Sequence, residues 1–326
     1  MADFVPGAAA LDRDGRGTLI AIGNFDGVHR GHRAVLERAV SRARAEGLVP
    51  AVLTFHPHPA EVLGRPPPAV LTPLARKVTL LRAIDPELRV VVHPFDAAFA
   101  AQAPDAFAAG LLVRDLGAKV VAVGQNFRFG QGRGGTFETL RALGSEHGFD
   151  VWAEPLAGDD RGRWSSTRAR ADVAAGNVDD VRAVLGRPYE LEGVVAHGQH
   201  RGRTLGFPTA NLEGVTEAIP ARGVYAVEVE RVDAPGEDGV LLAGGVANIG
   251  VRPTVAAGFA VEAHLFDFAG DLDGARLRHT LIARLRDERA FSGVDELRTQ
   301  IGRDAEAARG ALASDRASVD NGRRHG

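Results

Sequence analysis

Two histidines three residues apart, His29 and His32, stand in the stretch GNFDGVHRGHRAVL at positions 23–36, between the apolar run TLIAI and an Ala/Arg/Leu-rich helical pattern. Imidazoles at i and i+3 of a helix share a face, and the free N–H groups of a helix start form an anion site where a parallel strand ends. Gly23 and Gly27 let the backbone approach a ligand closely. The stretch therefore predicts an anion at a strand-to-helix turn. A second reading makes the histidines ligands: His29, His32, His56 and His58 could form an all-imidazole zinc site. Against it, TFHPHP (54–59) is bent by Pro57 and Pro59, and no carboxylate completes a familiar ligand spacing.

A second chemical stretch, HGQHRGRTLGFPTANL, runs from His197 to Leu212. The Walker lysine pattern G-x-x-x-x-G-K-[ST] is absent from the chain, so a phosphoryl group transferred here needs another cradle. Gly198, Gly202 and Gly206 can bring N–H groups onto phosphates, Arg203 adds a cation, and Thr209 and Asn211, in a Pro-Thr-Ala-Asn turn, offer hard oxygen ligands suited to Mg²⁺. An ordinary Gly-rich barrel loop is an equal reading of this segment alone. Lysine occurs only at positions 77 and 119, so phosphate chemistry is expected to rely on arginine, histidine, backbone N–H groups or a metal.

These residues need elements to hold them. At 326 residues the chain has room for about two domains. From Thr18 to Gly186, short β-branched runs (18–22, 49–54, 89–93, 119–123, 149–153) alternate with helical spacing at 31–46, 73–84, 104–116 and 136–147, and two short helices follow near 166–175 and 177–185. That pattern predicts an α/β domain, a doubly wound parallel sheet over residues 1–186. Beyond it, extended runs separated by Gly/Pro/Asp turns predict a small antiparallel β-barrel over 187–326, closed by an amphipathic helix at 293–313, with a disordered polar tail from about 314. Gly130, Gly132 and Gly135 spell a G-x-G-x-x-G that does not lead from a strand directly into a helix, and it reads as a mobile substrate loop or a plain surface turn. A net charge of −3 offers no basic surface for nucleic acid, and the absence of cysteine excludes disulfides. With no window of about 18 apolar residues and an acidic N-terminus, a soluble cytoplasmic protein without a membrane partner is expected, its homo-oligomerisation open.

GNFDGVHRGH, TFHPHP, VGQNFRFGQGRGG (123–135) and SSTRAR (165–170), in that order, resemble the nucleotidylyltransferase module of bacterial bifunctional riboflavin kinase/FMN adenylyltransferases. HGQHRGRTLGFPTANL, GGVANIGVRPTV (244–255), VEAHLFDFAGDLDG (261–274) and RLRDERAF (284–291) resemble the riboflavin kinase module of the same family. The resemblance implies that riboflavin is phosphorylated to FMN in the barrel and FMN adenylylated to FAD in the α/β domain, both with Mg²⁺–ATP. It places Gly23, Asn24, Phe25, Asp26 and Gly27 with His29 and His32 on one ATP, and Ser165, Ser166, Thr167 and Arg170 on its triphosphate. Phe55, His58 and Asn126 fall on the FMN side. In the barrel it gives Thr209 and Asn211 to Mg²⁺–ATP, Glu262 the part of general base for the ribityl hydroxyl, and Arg286 and Phe291 contact with the isoalloxazine; barrel-to-helix packing is an equal reading of that last pair. The chain departs from the family at Asp273, where Tyr is common, and at Ser292, where Asp is frequent. Rival readings are an adenylyltransferase whose barrel only binds flavin or regulates, and a non-enzymatic oligonucleotide binder.

Overall fold

The computed structural model describes residues 11, 15–155, 157–196, 209–251 and 259–324. Two compact units divide the chain: Met1–Ala69 with Leu74–Ser165, and Val70–Pro73 with Ser166–Gly326.

In the first unit, five parallel strands, β1 (Thr18–Ile22), β2 (Val49–His56), β3 (Arg89–Pro94), β4 (Ala118–Gly124) and β5 (Asp150–Glu154), form one sheet in the order β3-β2-β1-β4-β5. The sheet is covered on both sides, which is why its strands read as near-continuous apolar runs. Ile20, Ile22, Leu53, Val91 and Val121 face one core; Leu19, Ala21, Val52, Val90 and Val120 face the other. Helix α1 (Arg30–Ala45) follows β1, and α2 (Leu74–Arg82) precedes β3. Helix α3 starts at Pro104–Ala106 and winds on with π geometry over Phe107–Asp115, and α4 (Phe137–His147) starts on Thr136, whose hydroxyl accepts from the Thr139 N–H at 3.2 Å. A two-stranded ribbon, β6 (Gly158–Asp159) with β7 (Gly162–Arg163), leads to the end of the unit. The chain reverses its winding between β1 and β4, so the carboxyl ends of these two strands, Ile22 and Gly124, flank the crevice where an open α/β sheet binds ligands.

In the second unit, α5 (Ser166–Ala175) and α6 (Val178–Leu185) lead, through Gly186 at φ +75°, into six antiparallel strands. These are β8 (Tyr189–Val195), β9 (Thr209–Glu213), β10 (Gly223–Arg231), β11 (Val240–Val251), β12 (Phe259–Leu265) and β13 (Arg276–Arg286), closed in the order β10-β11-β12-β9-β8-β13. Helix α7 (Val294–Arg324) lays Ala308 and Leu312 on Phe266, Ile282 and Ala226.

Two expectations change. Thr209–Glu213 is a strand, not a turn, because Ala210 and Leu212 point into the core and the segment pairs with β12 and β8. The segment after 313, expected to be a disordered tail, continues α7 to Arg324. It contains no proline, and Asp315 pairs with Arg182 while Arg316 meets Glu228 at 3.0 Å. Those anchors extend the helix beyond its apolar stripe.

Candidate functional sites

Between β1 and α1 the backbone is held in an uncommon form. Phe25 and Val28 take positive φ (49° and 39°) around Gly27 at 86°, a conformation that costs a non-glycine residue about 1–3 kcal/mol. Burial of both side chains offsets that cost, since Phe25 is 5% and Val28 1% exposed. His29 caps α1: its Nδ1 accepts the His32 N–H at 3.2 Å. With Nδ1 accepting, the proton of the neutral His29 ring sits on Nε2. The His32 ring stacks on it, centroids 3.5 Å apart and 19° between planes, and Phe25 meets the His32 ring edge-on at 5.1 Å. Burial first, then the charges of His29 and Lys77, push the His32 pKa well below the ordinary imidazole value. Two stacked imidazoles at a helix N-terminus thus present N–H donors suited to an anion. Gly31 leaves the space they need, for a Cβ there would lie 3.1 Å from both the His29 ring and the Trp164 carbonyl oxygen.

Lys77, which the sequence reading passed over, stands behind this turn. Its ammonium donates to the Asn24 carbonyl at 3.0 Å and to Thr54 Oγ1 at 3.2 Å. One of only two lysines in an arginine-rich chain, on the buried face of an amphipathic helix, was the available signal.

His58 joins the same turn from the β2 side. Its Nε2 lies 3.2 Å from the Asn24 side-chain amide and its Nδ1 accepts the Ala60 N–H at 3.1 Å. Among the described residues the four histidines of the zinc reading do not gather into a group with metal-capable spacing; Asp105, Glu146 and His147 do. Phe55 opens an aromatic wall with Phe95 and Phe99, at 5.7 and 5.8 Å, and a 370 Å³ cavity lined by His93, Phe99 and Gln102 lies beside it. Asn126, just past β4, is exposed. The glycines after it build a closed turn: Phe129 and Gly135 exchange backbone hydrogen bonds, and a Cβ on Gly135 would strike the Phe129 ring at 2.6 Å. Gly130 presses on Pro104, and residues 125–129 separate it from the end of β4 at Gly124, so these glycines do not form the direct strand-to-helix turn that holds a dinucleotide, although α4 starts on Thr136 just after them. Ser165 ends the first unit, while Ser166, Thr167 and Arg170 open α5 in the second.

In the barrel, Glu262 lies in register with Asn211 on one neighbour and Asn248 on the other, and Thr209 faces His264. Alternation sends Val261, Ala263, Ala210 and Leu212 into the core, so Thr209, Asn211 and Glu262 share the opposite face. Among the described residues, Asn211 Oδ1 is buried and has no hydrogen-bond partner. A buried acceptor left unpaired costs about 1–3 kcal/mol, so it is a place for a ligand that supplies what the chain does not. Gly198, Gly202, Arg203 and Gly206 lie outside the described residues. Arg286 forms a two-pronged ion pair with Asp304 of α7 (Nε–Oδ1 2.9 Å, Nη2–Oδ2 2.7 Å) and sits 5.8 Å from the Phe291 ring, which places barrel-to-helix packing beside any flavin contact. Ser292 gives both its N–H and its hydroxyl to Glu296, at 3.0 and 2.8 Å, and so begins α7.

A parallel-sheet domain with a histidine pair at its switch point, followed by a six-stranded barrel with an acid beside an unpaired amide oxygen, defines a two-site nucleotide-dependent transferase. Family models for FAD synthetase and riboflavin kinase match residues 11–168 and 185–312. The chain is 42% identical to the bifunctional riboflavin kinase/FMN adenylyltransferase of Escherichia coli K12, over 90% of this chain and 92% of that one, and 40% identical to that of Pseudomonas fluorescens, over 95% and 98%. A solved chain described as a macrolide-efflux protein of Streptococcus pneumoniae superposes with a TM-score of 0.78 at 30% identity, covering 90% of this chain and 94% of that one. The chain belongs to the bifunctional riboflavin kinase/FMN adenylyltransferase family. The kinase match over the whole barrel disfavours a barrel that only binds flavin. Among the described residues, no helix is long and apolar enough to cross a membrane.

Proposed function

We propose that the chain makes FMN from riboflavin at the Thr209/Asn211/Glu262 face and FAD from FMN at the His29/His32 turn, with a separate set of residues for each step. The stacked histidine pair at the start of α1 carries the adenylyl half of this reading. An in-line attack of the FMN phosphate on the α-phosphorus of ATP needs positioning and charge neutralisation, and no strong base. His29 and His32, as N–H donors, stabilise the charge that grows on the α-phosphoryl oxygens, and the Gly23–Gly27 turn brings the backbone against the nucleotide. Ser165, Ser166, Thr167 and Arg170 are assigned to the triphosphate by their motif alone. His58, Asn126 and the Phe55 wall serve the flavin end, where aromatic stacking suits an isoalloxazine.

In the barrel, Glu262 accepts the proton of the ribityl hydroxyl as it attacks the γ-phosphorus of ATP. The buried, unpartnered Asn211 Oδ1 is the kind of hard donor a Mg²⁺ ion takes, and Thr209 offers a hydroxyl on the same face. These two residues would hold the ion, which when bound neutralises phosphate charge. Arg286 and Phe291 contact the flavin ring from the α7 side. The domains of this reading are 1–186 and 187–326, the enzyme is cytoplasmic, and its partners are riboflavin, FMN and ATP, without nucleic acid. Pure protein given riboflavin, ATP and Mg²⁺ should yield FMN and then FAD when flavins are separated over time; FAD formed only from supplied FMN would remove the kinase half, and no conversion would remove both.

A further inference from the structure

A buried lysine without a contacting acid is rare, because desolvating an ammonium costs far more than two neutral hydrogen bonds return. Lys77 is such a residue. It is 8% exposed, and its two acceptors, the Asn24 carbonyl and Thr54 Oγ1, are both uncharged. Thr54 in turn donates to the same Asn24 carbonyl at 3.2 Å, so one peptide oxygen of the phosphate turn receives two donors from beneath. Burial lowers the Lys77 pKa, and the charge of Asp26, within that turn, opposes this and favours the ammonium. Directly, or through Thr54 of β2, these contacts end on the segment between β1 and α1. A helix that needed only to dock on the sheet would be served by the leucines and valine beside Lys77, of which Val78 and Leu81 are already buried. What a cation gains in this place is an anion arriving at the other side of the turn.

We propose that Lys77 is a positioning residue for adenylyl transfer: a buried cation that holds the Gly23–Gly27 turn by the Asn24 carbonyl and places fixed positive charge behind His29 and His32. The proposal rests on the adenylyl site assigned above. It has a second consequence, for the proton on His32. The His32 ring stacks on His29, and burial first, then the charges of His29 and of Lys77 in α2, with Asp26 acting on Lys77, disfavour an imidazolium. Lys77 thereby keeps His32 a neutral donor over a wider pH range. Removing the ammonium should let His32 protonate at higher pH.

The test uses the full chain as Lys77→Met, which keeps the length of the side chain and removes charge and donors. FAD formation from FMN should lose about tenfold to a hundredfold in kcat/KM for ATP, the size of a charged hydrogen bond, while FMN formation from riboflavin stays unchanged. The acid limb of the FAD-forming pH profile, and the His32 titration followed by NMR on histidine-labelled protein, should both move to higher pH. Unchanged FAD formation, or a loss with neither titration moved, would overturn the proposal; a lowered melting temperature alone belongs to a structural lysine. If Lys77→Met does not fold, as loss of both activities would indicate, Thr54→Val decides, since it removes one anchor and keeps the charge: KM for ATP should rise with the acid limb in place, and an unaltered KM would refute the positioning role. Wild-type protein that makes no FAD would refute the site assignment instead.

Discussion

The two sites are finished to different degrees. At the β1–α1 turn the chain supplies its own order: His29 caps the helix, His32 stacks on His29, His58 holds the Asn24 side chain, and Lys77 with Thr54 holds the Asn24 carbonyl. On the barrel face, Asn211 keeps a buried acceptor without a partner among the described residues, beside the strand that carries Glu262. Both sites hold a buried polar atom without a partner among the described residues, Nδ1 of His32 and Oδ1 of Asn211, and the first adds backbone strain at Phe25 and Val28. A preorganised site gains by not having to rearrange when charge develops, whereas an unsatisfied one gains stability from the ligand itself. One chain thus holds an internally braced turn and a strand face with an open acceptor.

Breaking the braced site should have the largest effect. His29→Ala removes the helix cap and a donor together, and FAD formation should fall about 10²–10³-fold, the usual cost of one preorganised donor, with FMN formation intact. A loss below tenfold in a steady-state assay would mean that the turn is not preorganised for transfer. Next, Asn211→Ala should sharpen the contrast: FMN formation should fall by about a hundredfold or more, yet the unliganded protein should melt no earlier, because an orphaned buried acceptor has gone. Earlier melting without ligand would show that Asn211 has a structural partner. Gly31→Ala should cost FAD formation a smaller factor, about tenfold, as its Cβ displaces the His29 ring, with KM for ATP moving more than the melting temperature.

The smallest effect on catalysis should come from Glu217, which lies 5% exposed near the foot of the barrel and accepts N–H bonds from Glu192 and Thr216 at 2.9 and 3.0 Å. Burial, opposed by those bonds, raises its pKa from 4.5 to about 7. The unfolded chain releases this proton near 4.5 and the folded one near 7, so the contribution of Glu217 to stability declines as pH rises between those values. Glu217→Gln should flatten that part of the melting-temperature profile and leave both activities in place. A profile as steep as that of the wild type would assign the pH dependence to another group.

Most of the frame was legible because burial on both faces of a parallel sheet leaves unbroken apolar runs, and all five strand positions expected between Thr18 and Ala153 are occupied by strands. Five barrel strands were legible from alternation. The sixth, Thr209–Glu213, was hidden by its length and by Pro208 before it: five residues give two core contacts, too few to register as a period. The end of α7 was hidden for the opposite reason, since Asp315 and Arg316 hold it by charge to distant partners rather than by an apolar stripe. In the first site, the histidine spacing pointed to an anion, and the fold shows what the glycine between the pair does, since a Cβ at Gly31 would crowd the His29 ring. Lys77 escaped because a lone lysine in a helical pattern reads as a solvated face; only the fold turns it inward. Asn211 was named from its chemistry, but the unpaired oxygen that makes it informative depends on pairing with Glu262 across strands far apart in sequence.

The central claim is that the two reactions have separate machinery in one chain. A paired flavin time course tests it most directly, with Glu262→Ala and His32→Ala given riboflavin, ATP and Mg²⁺ in one arm and FMN, ATP and Mg²⁺ in the other. Glu262→Ala should form no FMN yet convert supplied FMN to FAD at the wild-type rate, and His32→Ala should accumulate FMN and form little FAD. Parallel loss of both products in either variant, with the fold retained, would contradict the account.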